Sequence, residues 1–549
     1  MASLVLGPLL RHVDETSATV WVETDVPCEV TVLGCTTPTF AVAGHSYALV
    51  VCDGLEPGTT TPYAVLLDGE QAWPLPDDPF PAPTVRTRTG DGEEPLRLLF
   101  GSCRVTRPHT PPYTRRGGRQ GVGVDALHAY ARRMLSRDEP DWPDALLLVG
   151  DQVYADEVSP QTLAHIERTR GTAEPPGTGI ADFEEYTVLY HEAWSDPLVR
   201  WALSTIPTAM VFDDHDVHDD WNTSSAWRRR MAAQPWWPAR VEGGLMSYWL
   251  YQHLGNLAPA VLAQDELWAA LRQTDDGEQL LREHARTADR EADGGRGVRW
   301  SYRRDYGDVR LLVLDSRGGR VLDVGDRAMV DDPAWEWIAR QTEDCASHLL
   351  IASSLPVLLP PAIHGLEAWN EAVCDGAWGR RWARWGEALR QGADLEHWAA
   401  FRASFERLMA LVEQVGSGAR SPAPATITFL GGDVHFSYLA QAHFPPDRGV
   451  RSIVHQAVCS PVRNPVNRPV QVGDRFARTA VGRALGRLLM RSAGVPQPEV
   501  RWRVDHGPNF DNEIGAIELA GRSSLFRLER ALPGDPDERL ETVLEQRLA

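Results

Sequence analysis

Four short, largely apolar runs in this chain of 549 residues stop abruptly at side chains that bind cations or phosphate. Leu146 to Val149 runs into Gly150-Asp151-Gln152-Val153-Tyr154, and Ala209 to Phe212 into Asp213-Asp214-His215-Asp216. Leu96 to Phe100 ends in Gly101-Ser102-Cys103-Arg104, and Thr426 to Leu430 in Gly431-Gly432-Asp433-Val434-His435. Runs of this length bounded by glycine or charge read as buried strands. In open α/β sheets, ligands bind at the carboxyl ends of such strands. One aspartate at a strand end is usually a cap or turn residue. Recurrence at four ends asks for a common cause.

The chemistry of those ends points to cations. Asp213, Asp214 and Asp216 would repel one another in a buried place, and an unpaired buried charge is expensive. Asp151 has two oxygens and is able to bridge two metals. Cys103 is a soft ligand, Tyr154 an anionic oxygen once deprotonated, and His435 borderline, a set suited to iron or zinc. The carboxylates around Asp214 and Asp433 suit a harder ion, calcium or magnesium. Val309 to Leu314 is a further strand, ending in Asp315-Ser316-Arg317. Arg104 and Arg317 each follow a strand end, where they either neutralise phosphate oxygens or sit in buried ion pairs. Ser353 and Ser354, after the Leu349 strand, read as caps.

Strands alternate with helices from Leu96 onward, at about Val124 to Ser136 and Asp182 to Trp194, which argues for a layered α/β core. Residues 1–92 differ. Ala18, Val20 and Val22 alternate with Thr19, Trp21 and Glu23, and further short strands follow, as in a small β-sandwich. Leu55 to Thr59 followed by Tyr63 resembles the tyrosine corner of fibronectin type III-like domains. This divides the chain into a β-domain, 1–92, and a catalytic domain, 93–549, with helical insertions at about 221–300 and 367–415. Gly243 to Leu254 and Glu266 to Glu291 are predicted helices. Trp398, Phe401, Phe405, Leu408 and Val412 form one apolar helix face. Ser452 to Val458 and Leu525 to Leu528 are predicted late strands.

The formal charge of −21 argues against a nucleic-acid backbone as partner. All 55 basic residues are arginine, which excludes Schiff-base and P-loop lysine chemistry. Seven cysteines, irregularly spaced and without CxxC, argue against a disulfide framework. No apolar run is long enough for a membrane span. With no signal segment in the sequence, a cytoplasmic location is expected, and an exported one would need a leader removed beforehand.

Together, Gly101-Ser102-Cys103, Gly150-Asp151-Gln152-Val153-Tyr154, Asp213-Asp214-His215-Asp216 and Gly432-Asp433-Val434-His435 resemble the signature of PhoD-like alkaline phosphatases/phosphodiesterases. These are metallophosphoesterases related to purple acid phosphatases. The resemblance implies a four-layer α/β/β/α sandwich behind the β-domain, with iron and calcium in one cluster. It implies that Cys103, Asp151 and Tyr154 hold the iron, and that Asp214, Asp433 and His435 help Asp151 hold the calcium. Zinc, manganese or magnesium are alternatives. The wider superfamily has Gly-Asn-His-Asp/Glu where this chain has Asp213-Asp214-His215-Asp216, and an anion in the asparagine position favours a harder or more highly charged metal; Asp213 is a further metal-ligand candidate. His215 matches a histidine that contacts phosphate and assists the leaving group, whereas His218 reads as a structural neighbour. The expected activity is metal-dependent hydrolysis of a small phosphate mono- or diester by activated water. Two rivals are a calcium-stabilised binding protein without turnover and a hydrolase of non-phosphate esters on the same core.

Overall fold

Two large sheets lie face to face, and their apolar residues divide between the two faces of each strand. The computed structural model describes residues 1–549 except 91, 93, 118, 119, 138–140, 291–297, 345, 346, 467–470, 472, 474, 476, 535 and 536. The first sheet has the order Thr208–Val211, Ala145–Val149, Leu96–Gly101, Glu513–Ala520, Ser523–Leu532, Arg539–Arg547. Its first three strands are parallel, and the C-terminal three are added antiparallel. The second runs Tyr302–Tyr306, Val309–Leu314, His348–Ser353, Thr426–Gly431, Ile453–Val458, Ser437–His443, Arg501–Asn509. Its four middle strands, from Val309–Leu314 to Ile453–Val458, are parallel.

Between the sheets, Leu98, Phe100, Leu147, Val149 and Val211 meet Leu311, Val313, Leu350, Ala352, Leu430 and Ala457 in one core. Their sequence neighbours point the other way, because side chains alternate along a strand. Leu99, Leu146 and Leu148 pack under helices on one outer face. Leu312, Leu314, Leu349, Ile351, Ile427 and Phe429 do so on the other. The result is the expected four-layer α/β/β/α arrangement. Burial on both faces is why these strands read as unbroken apolar runs rather than as alternation.

The N-terminal region is all β. Leu4–Val13, Ser17–Thr24, His45–Asp53 and Phe40–Val42 form one antiparallel sheet; Cys35–Pro38, Glu29–Val32, Val65–Leu67 and Glu70–Trp73 form the second. Leu10, Val20, Val22, Val30, Val50 and Trp73 fill the space between them. The sandwich is bolted to the larger core. Buried Arg11 donates to the carbonyls of Thr208, Tyr251 and Gln252 at 3.0, 2.7 and 2.6 Å. Tyr63 does not make a tyrosine corner: its hydroxyl donates to the Ser204 carbonyl, far away in the chain. The phenol therefore ties the sandwich to a helix rather than closing its own loop.

The helical regions differ in detail from the predicted ones. Glu266 to Asp289 is two helices, Glu266–Leu271 and Glu278–Asp289, and the predicted end at Glu291 lies outside the described residues. Asp275, Asp276 and Gly277 break the first from the second. The predicted Gly243–Leu254 helix is the tail of Trp237–Ser247 continued as a π-helical turn, Tyr248–His253. The Trp398 to Val412 stripe is core: it ends in Arg402–Ser417, packed under the second sheet.

Candidate metal centre

Parallel pairing brings the ligand-bearing strand ends to one edge. Gly101 lies beside Leu148, and Val149 beside Val211, so Cys103, Asp151 and Asp213 leave the first sheet at one level. In the second sheet Leu430 lies beside Ala352, and Gly431 beside Val458. The two edges are laced together: the Asp433 amide donates to Ser102 Oγ (3.1 Å), and Ser460 Oγ, which accepts from the His435 amide (3.1 Å), donates to Cys103 Sγ at 3.3 Å.

Tight turns make this approach feasible. A Cβ on Gly432 would stand 2.3 Å from Ser102 Oγ, and one on Gly150 would stand 2.7 Å from Asp213 Cβ. Cys103, Asp151, Asp433 and His435 all have positive φ, at 58°, 52°, 62° and 54°. Non-glycine residues rarely adopt that conformation, and where it persists it concentrates at functional sites.

Two ligand sets share Asp151. Ligand atoms of Cys103, Asp151 and His435 lie within 4.8 Å of one another, as do those of Asp151, Asp213, Asp214 and Asp433. Tyr154 belongs with the first set, its hydroxyl 3.3 Å from Asp151 Oδ2, which Cys103 Sγ also approaches at 3.3 Å. His435 therefore stands on the thiol-phenol side, not among the carboxylates where the resemblance had put it. The turn Asp433-Val434-His435 separates the two side chains.

The electrostatics fit bound cations. Asp151 Oδ1 and Asp213 Oδ2 are buried and accept no hydrogen bond, although buried polar atoms are almost always paired. Burial, with repulsion from Asp213, Asp214 and Asp216, raises the Asp151 carboxyl well above the usual range despite the opposing pull of His215. Burial also raises the Cys103 thiol and the Tyr154 phenol, and neighbouring carboxylates add to both shifts. A bound cation reverses this logic, holding carboxylate, thiolate and phenolate in their anionic forms. The residues thus fit a metal pair. Burial lowers His435 to about 4, so its imidazole is neutral, the form that ligates.

Both arginines are found in buried ion pairs, one of the two roles expected of them. Arg104 turns away from the cluster: its Nε donates to Asp125 (2.8 Å) and its Nη1 to the Ala193 carbonyl. The next residue after a strand-end ligand points to the opposite side, so Arg104 is a buried ion-pair residue. Arg317 does reach the cluster but is wholly buried. It pairs with Asp213, with Glu396 at 2.5 Å, with Asp214 at 3.2 Å and with Asp433 at 3.6 Å. It is a strap across the carboxylates.

His215 stands beside the thiol-phenol set. Its ring lies 4.6 Å from that of Tyr154, and its Nδ1 pairs with Asp156 at 2.9 Å. Burial opposes its charged form, but Asp156, Asp214 and Asp151 outweigh that and raise its pKa well above 6.5. Ser353 and Ser354 are used internally, by Trp398 Nε1 and Ser316.

Several residues were missed from sequence. Asp216 accepts from the backbone amides of Asp151 (3.0 Å), Asp213 (2.9 Å) and Val153 (3.4 Å), fixing both ligand turns. His397 lies between Glu367 (2.7 Å) and Asp433 (3.1 Å). Asn464 donates to the Tyr154 hydroxyl at 3.1 Å. Glu396 and His397 come from the second helical insertion, where Asp394-Leu395-Glu396-His397 carries no recognisable spacing; only Asp216, inside a quoted motif, was within reach.

On this arrangement of facing sheets with candidate ligands at one edge, the family match supports a phosphoesterase-type hydrolase. Residues 123–486, about two thirds of the chain, match the PhoD-like phosphatase family, and the chain belongs to it. Residues 1–85 match a family described as a domain of unknown function, DUF7800. A solved structure of PhoD aligns with a TM-score of 0.59 at 12% identity, covering 100% of this chain and 92% of that one. That similarity concerns the fold. No curated protein matches the chain.

Proposed function

We propose that the protein hydrolyses phosphate mono- or diesters at this centre with two bound cations. The observation that supports this most is the meeting of four strand ends around buried carboxylate oxygens that have no donor. Cys103, Asp151, Tyr154 and His435 would hold a transition metal, iron by family resemblance. Asp151, Asp213, Asp214 and Asp433 would hold a harder ion, calcium by the same resemblance. Zinc, manganese or magnesium also suit these donors. Such cations lower the pKa of water from 15.7 toward roughly 7 and offset charge on phosphate oxygens.

The chain's own groups supply the rest. Asp156 favours the protonated form of His215, and an imidazolium there is able to bind a phosphate oxygen or pass its Nε2 proton to the leaving oxygen. Asp216 fixes the turns that carry Asp151 and Asp213, and His397 orients Asp433. Asp219, Asp220 and Asp394 lie near these carboxylates, and burial raises all three. Where the pH exceeds these raised values and the groups ionise, that acidic surround without cations would repel a phosphate anion.

The test is turnover of p-nitrophenyl phosphate and bis-p-nitrophenyl phosphate by protein loaded with iron and calcium. Activity that disappears on chelation is expected; an inert, fully loaded protein beside an active relative would refute the proposal. Asp151→Ala should lose both metals and turnover. Retention of full metal content by elemental analysis would overturn the ligand assignment.

A further inference from the structure

Five large apolar side chains are left in solvent on two helices that share one supporting helix. On Arg380–Gly392, Trp382 and Trp385 are each 49% exposed. On Ala480–Ser492, Val481, Leu485 and Leu488 are 66, 47 and 63% exposed. The last three recur at i, i+4 and i+7, so they form one stripe. Both helices pack on Pro361–Cys374. Gly365 meets Gly486 backbone to backbone, and the Asn370 amide donates to the Gly386 carbonyl at 2.9 Å. The stripes meet where the Trp378 indole donates to the Ser492 carbonyl (2.9 Å) and stacks edge-on against Trp382.

The polar residues of these helices are strongly biased. Arg380, Arg381, Arg384, Arg483, Arg487 and Arg491 are exposed, and none of them forms an ion pair among the described residues. The one acidic residue in the two helices, Glu387, is engaged by Ser224 and Gln391. This is a cationic face on a chain of net charge −21. An apolar stripe of tryptophan and leucine flanked by arginine is the composition of helices that lie in a lipid interface. No helix of the described residues is long and apolar enough to cross a membrane, so insertion would be shallow.

We propose that the paired helices Arg380–Gly392 and Ala480–Ser492 dock the protein on an anionic lipid surface. The rings and leucines enter the headgroup boundary while the six guanidinium groups pair with lipid phosphates. The charge favours this occupant over a second copy, because a cationic face turned toward itself would be repelled. From Gly392 the chain passes directly to Glu396 and His397 in the metal centre, so docking holds that part of the site's wall at the lipid surface.

Vesicle cosedimentation of the full chain tests the proposal, with phosphatidylcholine alone and mixed with phosphatidylglycerol. Binding is expected only to the anionic vesicles, and is expected to weaken as salt rises. The triple variant Arg483→Gln, Arg487→Gln, Arg491→Gln should bind on the order of a hundredfold more weakly, the loss expected for three surface cations at an anionic leaflet. Trp382→Ser with Trp385→Ser, and separately Leu485→Ser with Leu488→Ser, should also weaken binding while circular dichroism shows native helix content. Absence of binding at low salt, or equal binding by folded variants, would overturn the proposal. So would a wild-type dimer that Leu485→Ser with Leu488→Ser converts to monomer without vesicles, since a second copy would then cover the stripe.

Discussion

Replacing Arg317 by methionine separates a structural strap from a substrate contact. The guanidinium is fully buried and touches Asp213, Asp214, Glu396 and Asp433. Arg320 also reaches Glu396, at 3.1 Å, so that carboxylate keeps one partner in the variant. Asp213 does not: its Oδ1 loses Arg317, and its Oδ2 already lacks a donor. Breaking a buried pair by removing one member costs about 3–5 kcal/mol, mostly from the charge left behind. The metal-free variant should therefore unfold at clearly lower denaturant concentration than metal-free wild type. Cations taken up by Asp151, Asp213, Asp214 and Asp433 would neutralise the same charges. Metal at about a hundred times the dissociation constant stabilises either protein by about 2.7 kcal/mol, and with no guanidinium competing for the same carboxylates the variant should bind calcium more tightly than wild type, so metal should narrow the gap. The assay is urea denaturation with and without added calcium. A metal-free variant as stable as wild type, but unable to turn over p-nitrophenyl phosphate, would refute the strap and return Arg317 to a phosphate-binding role.

Three further outcomes are expected. His215→Asn should lower kcat by about a hundredfold to ten-thousandfold, and by more for alkyl than for p-nitrophenyl esters; an equal loss for both leaving groups would exclude proton donation. Asp216→Ala removes the acceptor of three ligand-turn amides, each bond to a carboxylate worth about 1.5–3 kcal/mol; metal affinity should fall with stability, and unchanged calcium binding by calorimetry would contradict that. His45 lies between Glu23 and Glu184, each 3.2 Å away, and Glu23 leads in raising its pKa to about 9 against partial burial. Because the folded pKa is the higher one, this stabilisation is complete below about 6.5 and is lost as pH rises through about 9. Solvent screening keeps it to about 1 kcal/mol. Wild type and His45→Gln should converge in melting temperature between pH 7 and 10; parallel curves would disprove the linkage.

The parallel strands were legible because each is buried on both faces, which produces an unbroken apolar run that ends where the chain turns. The ligand motifs were legible for the same reason, since Asp151, Asp213 and Asp433 follow directly on those runs. Strands Ser437–His443, Arg501–Asn509 and Arg539–Arg547 were not, because they are antiparallel additions with half-polar or edge faces. The apolar stripe at Trp398 to Val412 read correctly as core from its spacing alone.

What a sequence states is which residue types follow one another, and local physics turns that into strand, turn and ligand chemistry. Cys103, Asp151, Tyr154, Asp214 and Asp433 were therefore visible as candidate ligands before any fold was drawn. Which donors share a cation depends on side-chain direction across two sheets, and only the tertiary structure placed His435 beside Cys103. The same holds for Arg104 and Arg317, adjacent to strand ends alike, one turned to Asp125 and one to the carboxylates. Contributions from Glu396 and His397 arise from a helical insertion folding back over the edge, a contact between segments that no local pattern encodes.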